Sequence, residues 1–176
     1  MAETIKKPRA VTKKRVVKKL VVKKRAPSPL ALARLATNPI ISPNPKHAWE
    51  AWQTFNPGVI LLNNQVHFLY RALGSDGISR LGYAISDDGF TIDERLAYPV
   101  YEHPKDDKGK DRVFRVFSYF SGGSWGGAED PRLVQVEGEN NLYMTYTACD
   151  NGLRVGLSSI KVADFLNKNG DGNRRC

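Results

Sequence analysis

The chain has 176 residues, with 27 Lys or Arg against 18 Asp or Glu and a formal net charge of +9. The excess is local: residues 1–25 hold eight Lys, three Arg and one Glu (11 − 1 = +10), which leaves 16 basic and 17 acidic residues and a net charge of −1 for residues 26–176. A nearly neutral body speaks against a fold organised around polyanions, and the absence of a roughly 20-residue apolar run speaks against a membrane-spanning helix.

Residues 1–29 form a basic, low-complexity tail with Lys pairs at Lys6-Lys7, Lys13-Lys14, Lys18-Lys19 and Lys23-Lys24. Val16, Val17, Leu20 and Val21 would share one helical face on an acidic surface. Self-repulsion of like charges makes a disordered arm the expectation. Contact of residues 1–25 with nucleic acid or another acidic surface would act through counterion release. The tail has no apolar h-region, so it does not read as a secretory signal. Two cysteines, Cys149 and Cys176, make neither a disulfide framework nor a metal-ligand spacing. A reducing, cytoplasmic setting is expected.

Residues 30–55 are a Pro-rich lead-in (Asn38-Pro39, Ser42-Pro43, Asn44-Pro45) ending in Trp49, Trp52 and Phe55, which are expected to pack on the first sheet. Strands follow near 58–62, 66–73 and 80–86, with a Gly74-Ser75-Asp76-Gly77 turn between the second and third. A tight turn at Ser86-Asp87-Asp88-Gly89-Phe90 closes the third. An insertion, about 101–127, is charged, then apolar, then Gly-rich around Trp125. Its glycines would let the backbone approach a ligand and the indole stack on a sugar face; the same loop would also serve as a lid over an apolar edge. Strands near 132–137, 142–148 and 153–160 and a helical turn over 162–166 complete the pattern. Asn169, Asp171 and Asn173 alternate like the opening of a calcium loop, but no bidentate Glu follows, so no metal is expected.

The two sets of strands are copies. Asn56-Pro57-Gly58-Val59-Ile60 matches Asp130-Pro131-Arg132-Leu133-Val134, the strand ending in Ala72 matches the one ending in Ala148, and Arg80-Leu81-Gly82-Tyr83 matches Arg154-Val155-Gly156-Leu157. The offsets are 130 − 56 = 74, 148 − 72 = 76 and 154 − 80 = 74. Matched short strands in fixed order at one period point to an all-β propeller, blade 1 spanning about 56–100 and blade 2 about 128–168 of a partial propeller over 56–176. Closed rings take about four blades or more, so further blades or further copies, as in a homo-oligomer, are expected to complete one.

The densest polar motif is Gly126-Gly127-Ala128-Glu129-Asp130-Pro131-Arg132. In an extended chain Asp130 and Arg132 share a side, which would bring a guanidinium against the carboxylate unless Pro131 bends the chain. A surface turn capped by an Arg–carboxylate pair fits the same residues. His67 alternates into a strand and reads as a core histidine, while His47 and His103 lie in loops with nothing to pair them. Cys149 reads as a small buried residue. No Ser-His-Asp set, P-loop or dinucleotide fingerprint occurs.

Asn56-Pro57-Gly58, Tyr70-Arg71-Ala72, Ser79 through Ser86 and Gly127-Ala128-Glu129-Asp130-Pro131-Arg132 together resemble glycoside hydrolase family 130, the β-mannoside phosphorylases and related β-mannosidases, over about residues 50–168. The resemblance implies a five-bladed propeller of which this chain covers about the first two blades. It implies Asp130 as the catalytic acid, Asn56 and Arg71 as contacts to the mannosyl residue, and Arg80, with Arg154 in the equivalent place, as phosphate contacts. Trp125 joins the substrate side, no metal or cofactor is implied, and inorganic phosphate is the co-substrate. The expected partners are a β-mannoside oligosaccharide and phosphate. The chemistry is consistent: an inverting reaction needs an acid on one face of the sugar and a nucleophile on the other, and a phosphate nucleophile needs guanidinium groups to hold it. Three functions fit: inverting phosphorolysis to α-mannose 1-phosphate, hydrolysis of the same bonds, or an inactive fragment or binding half-propeller with a nucleic-acid-binding tail.

Overall fold

The computed structural model describes residue 30 and residues 32–102, 126–149 and 152–168. The tail, Trp125 and the Asn169–Asn173 alternation lie outside the described residues. Strands β1 (Gln53–Leu62), β2 (Gln65–Leu73), β3 (Ile78–Ser86) and the two-residue β4 (Glu94–Arg95) form a first antiparallel unit. Strands β5 (Gly126–Gln135), β6 (Asn141–Cys149) and β7 (Leu153–Lys161) form a second, followed by the one-turn helix α1 (Val162–Leu166). Among the described residues the chain is all-β apart from α1 and a 3₁₀ turn at Ala48–Glu50.

Local chemistry sets the registers. Asn63 and Asn64 both take positive φ, 49° and 59°, and join β1 to β2 with Leu62 opposite Gln65. Two left-handed residues in a two-residue loop match the twist of the flanking strands, and Asn tolerates that conformation. The next turn is held by Asp76, whose Oδ1 accepts from the Ile78 amide at 3.0 Å. After β3, the Asp88 carboxylate accepts the Phe90 and Thr91 amides, each at 2.7 Å, and the Ser86 hydroxyl.

The two units meet along a short parallel pairing, Ile78 with Gly126 and Ser79 with Gly127. That pairing needs glycine: a Cβ on Gly127 would stand 2.1 Å from the Ser79 carbonyl oxygen. Gly126 and Gly127 thus open β5 rather than closing the insertion expected over about 101–127. Away from the seam the units pack face to face. Leu62, Leu69, Leu81, Tyr83 and Ile85 of the first meet Ala128, Leu142, Met144, Tyr146 and Ala148 of the second, with Phe165 of α1 closing one end. The sheet is open, running β1-β2-β3-β5-β6-β7 with β4 beside β3.

The other face of the first unit is covered by residues 40–49. Phe68, Tyr70, Ala72 and Ala84 pack against Ile40, Ile41 and Trp49. Trp49 stacks on Tyr70 and donates its indole N–H to Ala97 O at 2.9 Å. Trp52 departs from the expectation, being 55% exposed, and Phe55 lies within β1. His47 has a partner after all: its Nδ1 is 2.7 Å from Oε1 of the buried Glu50.

Both units repeat one packing device. Tyr70 lies opposite Gly82, and Tyr146 opposite Gly156. A Cβ on Gly82 would stand 2.2 Å from the Tyr70 ring, and one on Gly156 2.3 Å from the Tyr146 ring. Tyr70 cannot yield, because its hydroxyl donates to Glu50 Oε2 at 2.8 Å and receives Arg95 Nε at 3.0 Å. Gly82→Ala is therefore expected to cost about 1–3 kcal/mol by overpacking, read as a lowered urea midpoint at unchanged slope.

His67 is 1% exposed, with Nδ1 at 2.8 Å from the Tyr83 hydroxyl. Burial lowers its pKa below 6.5, the Leu62 carbonyl opposes this, and the Lys168 charge adds to the lowering. In the unfolded chain the imidazole takes its proton near the ordinary value, before the folded form does. Stability should therefore fall as pH drops below about 6.5, by at most about 1.4 kcal/mol per pH unit for this one proton. Urea unfolding at pH 7 and pH 5 checks this, and His67→Gln should flatten that part of the profile.

Candidate functional site

β1 and β5 are interrupted at the same place. The register passes from Phe55 opposite Arg71 to Gly58 opposite Leu69, and from Glu129 opposite Thr147 to Arg132 opposite Thr145. Each jump inserts one extra residue, a β-bulge, which bends the strand and re-aims a side chain. The residues at the bulges are Asn56, φ 47°, and Asp130, φ 50°. Asn and Asp are the non-glycine residues that best tolerate left-handed backbone. The proline after each has no amide N–H to leave unpaired in the broken ladder.

The two bulges touch. A Cβ on Gly58 would stand 2.6 Å from the Pro131 carbonyl oxygen, so β1 and β5 come together only because residue 58 is glycine. This approach lets Asn56 Nδ2 donate to Asp130 Oδ1 at 2.9 Å, across 74 residues of sequence. Arg132 does not face the Asp130 carboxylate: its guanidinium donates to the Asp130 backbone carbonyl at 3.3 Å. The bulge resolves the conflict left open by the extended-chain reading.

Behind Asp130 lies Arg71, only 2% exposed. Its Nη1 donates to Asp130 Oδ1 at 3.2 Å, Nη2 to Glu129 Oε1 at 2.8 Å and Nε to Ser79 Oγ at 2.9 Å. The Phe55 ring faces the guanidinium, 4.6 Å from its carbon to the ring centre. Glu129 and Ser79 are fully buried, whereas the Asp130 side chain is 29% exposed. The arrangement presents one carboxyl group to solvent, from a backbone fixed by the bulge and with an internal guanidinium and a carboxamide on one of its oxygens.

Asn56, Arg71 and Asp130 are thus brought together. Arg80 is not among them. It lies opposite Ala72 and so starts on the other face of the sheet from Arg71. Its guanidinium chelates Asp76 at 2.7 and 3.1 Å, and Nε lies 3.8 Å from Glu102. Burial works against the Asp76 carboxylate, yet the hydrogen bonds from Arg80 and the Ile78 amide hold its pKa below the ordinary value. Arg154 is exposed at the start of β7, opposite Ala148, two strands from β5. Ser79 and Phe55 were not legible as site residues, and Glu129 had no role beyond its motif. Strand alternation from Leu81 places Ser79 on the core face, which is the signal that was available.

Repeated antiparallel units with a carboxyl group exposed where their first strands meet define an all-β protein with one carboxyl group presented at the junction of its units. The family model described as beta-1,4-mannooligosaccharide phosphorylase matches residues 23–166. The chain belongs to glycoside hydrolase family 130. It is 33% identical over 131 residues to a beta-1,2-mannobiose phosphorylase from Thermoanaerobacter sp. (strain X514), covering 66% of this chain and 36% of that protein. It is also 33% identical over 125 residues to a 1,2-beta-oligomannan phosphorylase from the same organism, covering 67% of this chain and 36% of that protein. Among solved structures it is similar to a glycosyl hydrolase from Bacteroides ovatus, with TM-score 0.59, 30% identity and coverage of 73% of this chain and 37% of that one. A second structure comes from the hydrolases of this family that target β-1,2 mannosidic linkages in Candida mannan, with TM-score 0.59, 30% identity and coverage of 79% and 41%. The chain spans about a third of the length of the curated relatives it matches.

The Arg71–Glu129 pair is buried on both sides, so removing Arg71 takes the guanidinium away from a buried carboxylate. Arg71→Met should destabilise the fold by about 3–5 kcal/mol, and the double variant Arg71→Met/Glu129→Met should recover most of that loss. Urea unfolding of the two single variants and the double variant measures it as a cycle.

Proposed function

We propose that the protein cleaves β-mannosides by inverting phosphorolysis, with Asp130 as the general acid. Phosphate oxygen attacks C1 as the C1–O glycosidic bond breaks and its electron pair passes to the leaving oxygen. That oxygen receives the Asp130 proton, directly or through a sugar hydroxyl, and α-mannose 1-phosphate departs with its configuration inverted. The observation that carries this reading is the exposed Asp130 carboxyl on its bulge, joined to Asn56 and Arg71, in a chain similar to two mannoside phosphorylases. The two relatives are named for β-1,2 linkages, so β-1,2-mannobiose is the first substrate to test.

In this reading further blades complete the five-bladed ring around the site. Phosphate requires guanidinium partners. Arg80, which pairs with Asp76, and Arg154, on β7, are the candidate phosphate contacts in this reading. A second reading, hydrolysis of the same bonds, is favoured by the likeness to a family hydrolase acting on β-1,2 mannosidic linkages.

The test is phosphorus NMR on the natural protein, expressed in full, with β-1,2-mannobiose and phosphate. A mannose 1-phosphate signal of α configuration is expected, and Asp130→Asn should lower the rate by about 10²–10⁴-fold. Mannobiose loss at the same rate without phosphate would select hydrolysis. No turnover with or without phosphate would overturn both.

A further inference from the structure

We infer that Ser79, Glu129 and Arg71 form a positioning unit that clamps Asp130 by Oδ1 and reserves Oδ2 for the transferred proton; this rests on the reading of Asp130 as the acid. Both donors that reach the carboxyl group, Asn56 Nδ2 at 2.9 Å and Arg71 Nη1 at 3.2 Å, converge on Oδ1. Among the described residues Oδ2 accepts no hydrogen bond. A proton on Oδ1 would point at two N–H donors, so the acid's proton stands on Oδ2, on the 29% exposed side chain.

The guanidinium is fixed at three nitrogens and one face. Nη2 meets Glu129, Nε meets Ser79, Nη1 meets Asp130, and the Phe55 ring lies against the plane. With the residue 2% exposed, its geometry suits holding Asp130 rather than touching a sugar. Ser79 carries the seam into the site. Its backbone pairs with Gly127 and its hydroxyl receives Arg71 Nε, so the approach of the two units sets the guanidinium and through it the acid. When the proton leaves Oδ2 for the glycosidic oxygen, Asp130 becomes a carboxylate. Donors already aimed at Oδ1 stabilise that charge without rearranging.

The second unit shows that the device belongs to one place. Thr147 stands where the first unit has Arg71 (147 − 71 = 76), and Phe55 stands where the second has Glu129 (129 − 55 = 74). Each unit supplies half: β2 and β3 carry Arg71 and Ser79, and β5 carries Glu129 and Asp130.

The test compares two donors on the natural protein, expressed in full. β-1,2-Mannobiose has a leaving alcohol that needs a proton, whereas dinitrophenyl β-mannoside has a phenolate that departs without one. Ser79→Ala and Glu129→Gln should lower kcat on mannobiose by about 10–100-fold with KM within about threefold, while kcat on the aryl mannoside changes by less than about threefold. Losses of equal size on both donors, or none on either, would overturn the positioning unit. Asp130→Asn separates the two failures. If it retains mannobiose cleavage, the acid reading itself falls; if it shows the leaving-group dependence and the other two variants do not, only the positioning unit falls. Should Glu129→Gln fail to fold, Ser79→Ala, which removes one neutral acceptor, carries the decision.

Discussion

The structure depends on one buried guanidinium. Arg71 leaves β2 toward the neighbouring unit and finds its partners in both: Ser79 and Phe55 in its own, Glu129 and Asp130 in the other. A charge removed from water is tolerated only when paired and hydrogen-bonded. That requirement ties the units more specifically than the apolar contact of Leu81 and Tyr83 with Leu142 and Tyr146. Apolar faces can slide or repack at modest cost. Three directed bonds on a planar fork cannot, so the register of one unit against the other is fixed at the point where Asp130 sits.

The site is a repeat that has diverged. Asn56-Pro57 and Asp130-Pro131 are the same bulge at an offset of 74, with nearly equal φ and a proline after each. The backbone solution came with the repeat, and the chemistry came from one atom: the carboxamide of Asn56 donates to the carboxylate of Asp130. Two Asp residues here would face each other with like charges, and two Asn residues would leave no carboxyl group. Replacing Arg71 by Thr147 and Phe55 by Glu129 in the equivalent places makes the contact asymmetric, so one carboxyl is exposed and the other is locked inside.

Much of this was legible in the sequence because strand architecture is written in short range. Alternation and the turn residues around Gly74–Gly77 and Ser86–Phe90 locate the strands to within a few residues, and the 74-residue offset aligns Asn56 with Asp130. The strand starts were missed, β1 and β5 opening at Gln53 and Gly126, because pairing there is set by a neighbouring strand and a glycine seam. The side on which Arg80 lies was available from its pairing with Ala72, yet a motif carries no face. Asp76, four residues earlier, claims it through a turn geometry that spacing alone does not define. Ser79, Phe55 and Glu129 stayed without roles because their partner, Arg71, meets them across paired strands and the seam between the units, which residue spacing does not show. His47 reads as unpaired in the sequence because Glu50, three residues on, is buried by distant residues that a local reading does not see.

The lead-in shows why β2 can carry such a demanding residue. Its face opposite Arg71 presents Tyr70, and the buried Glu50 carboxylate gathers that hydroxyl, Arg95 at 2.5 Å and His47 at 2.7 Å. Burial and the Glu50 carboxylate both raise the Tyr70 pKa, against the opposing effect of Arg95, which keeps the phenol protonated as the donor to Glu50. β2 is therefore held on both faces by directed bonds, Tyr70 on one side and Arg71, the next residue, on the other. A functional group is positioned well when the element bearing it is itself immobile. Ile40, Ile41, Trp49 and Glu50 fix the strand from behind, so that the guanidinium in front can fix Asp130.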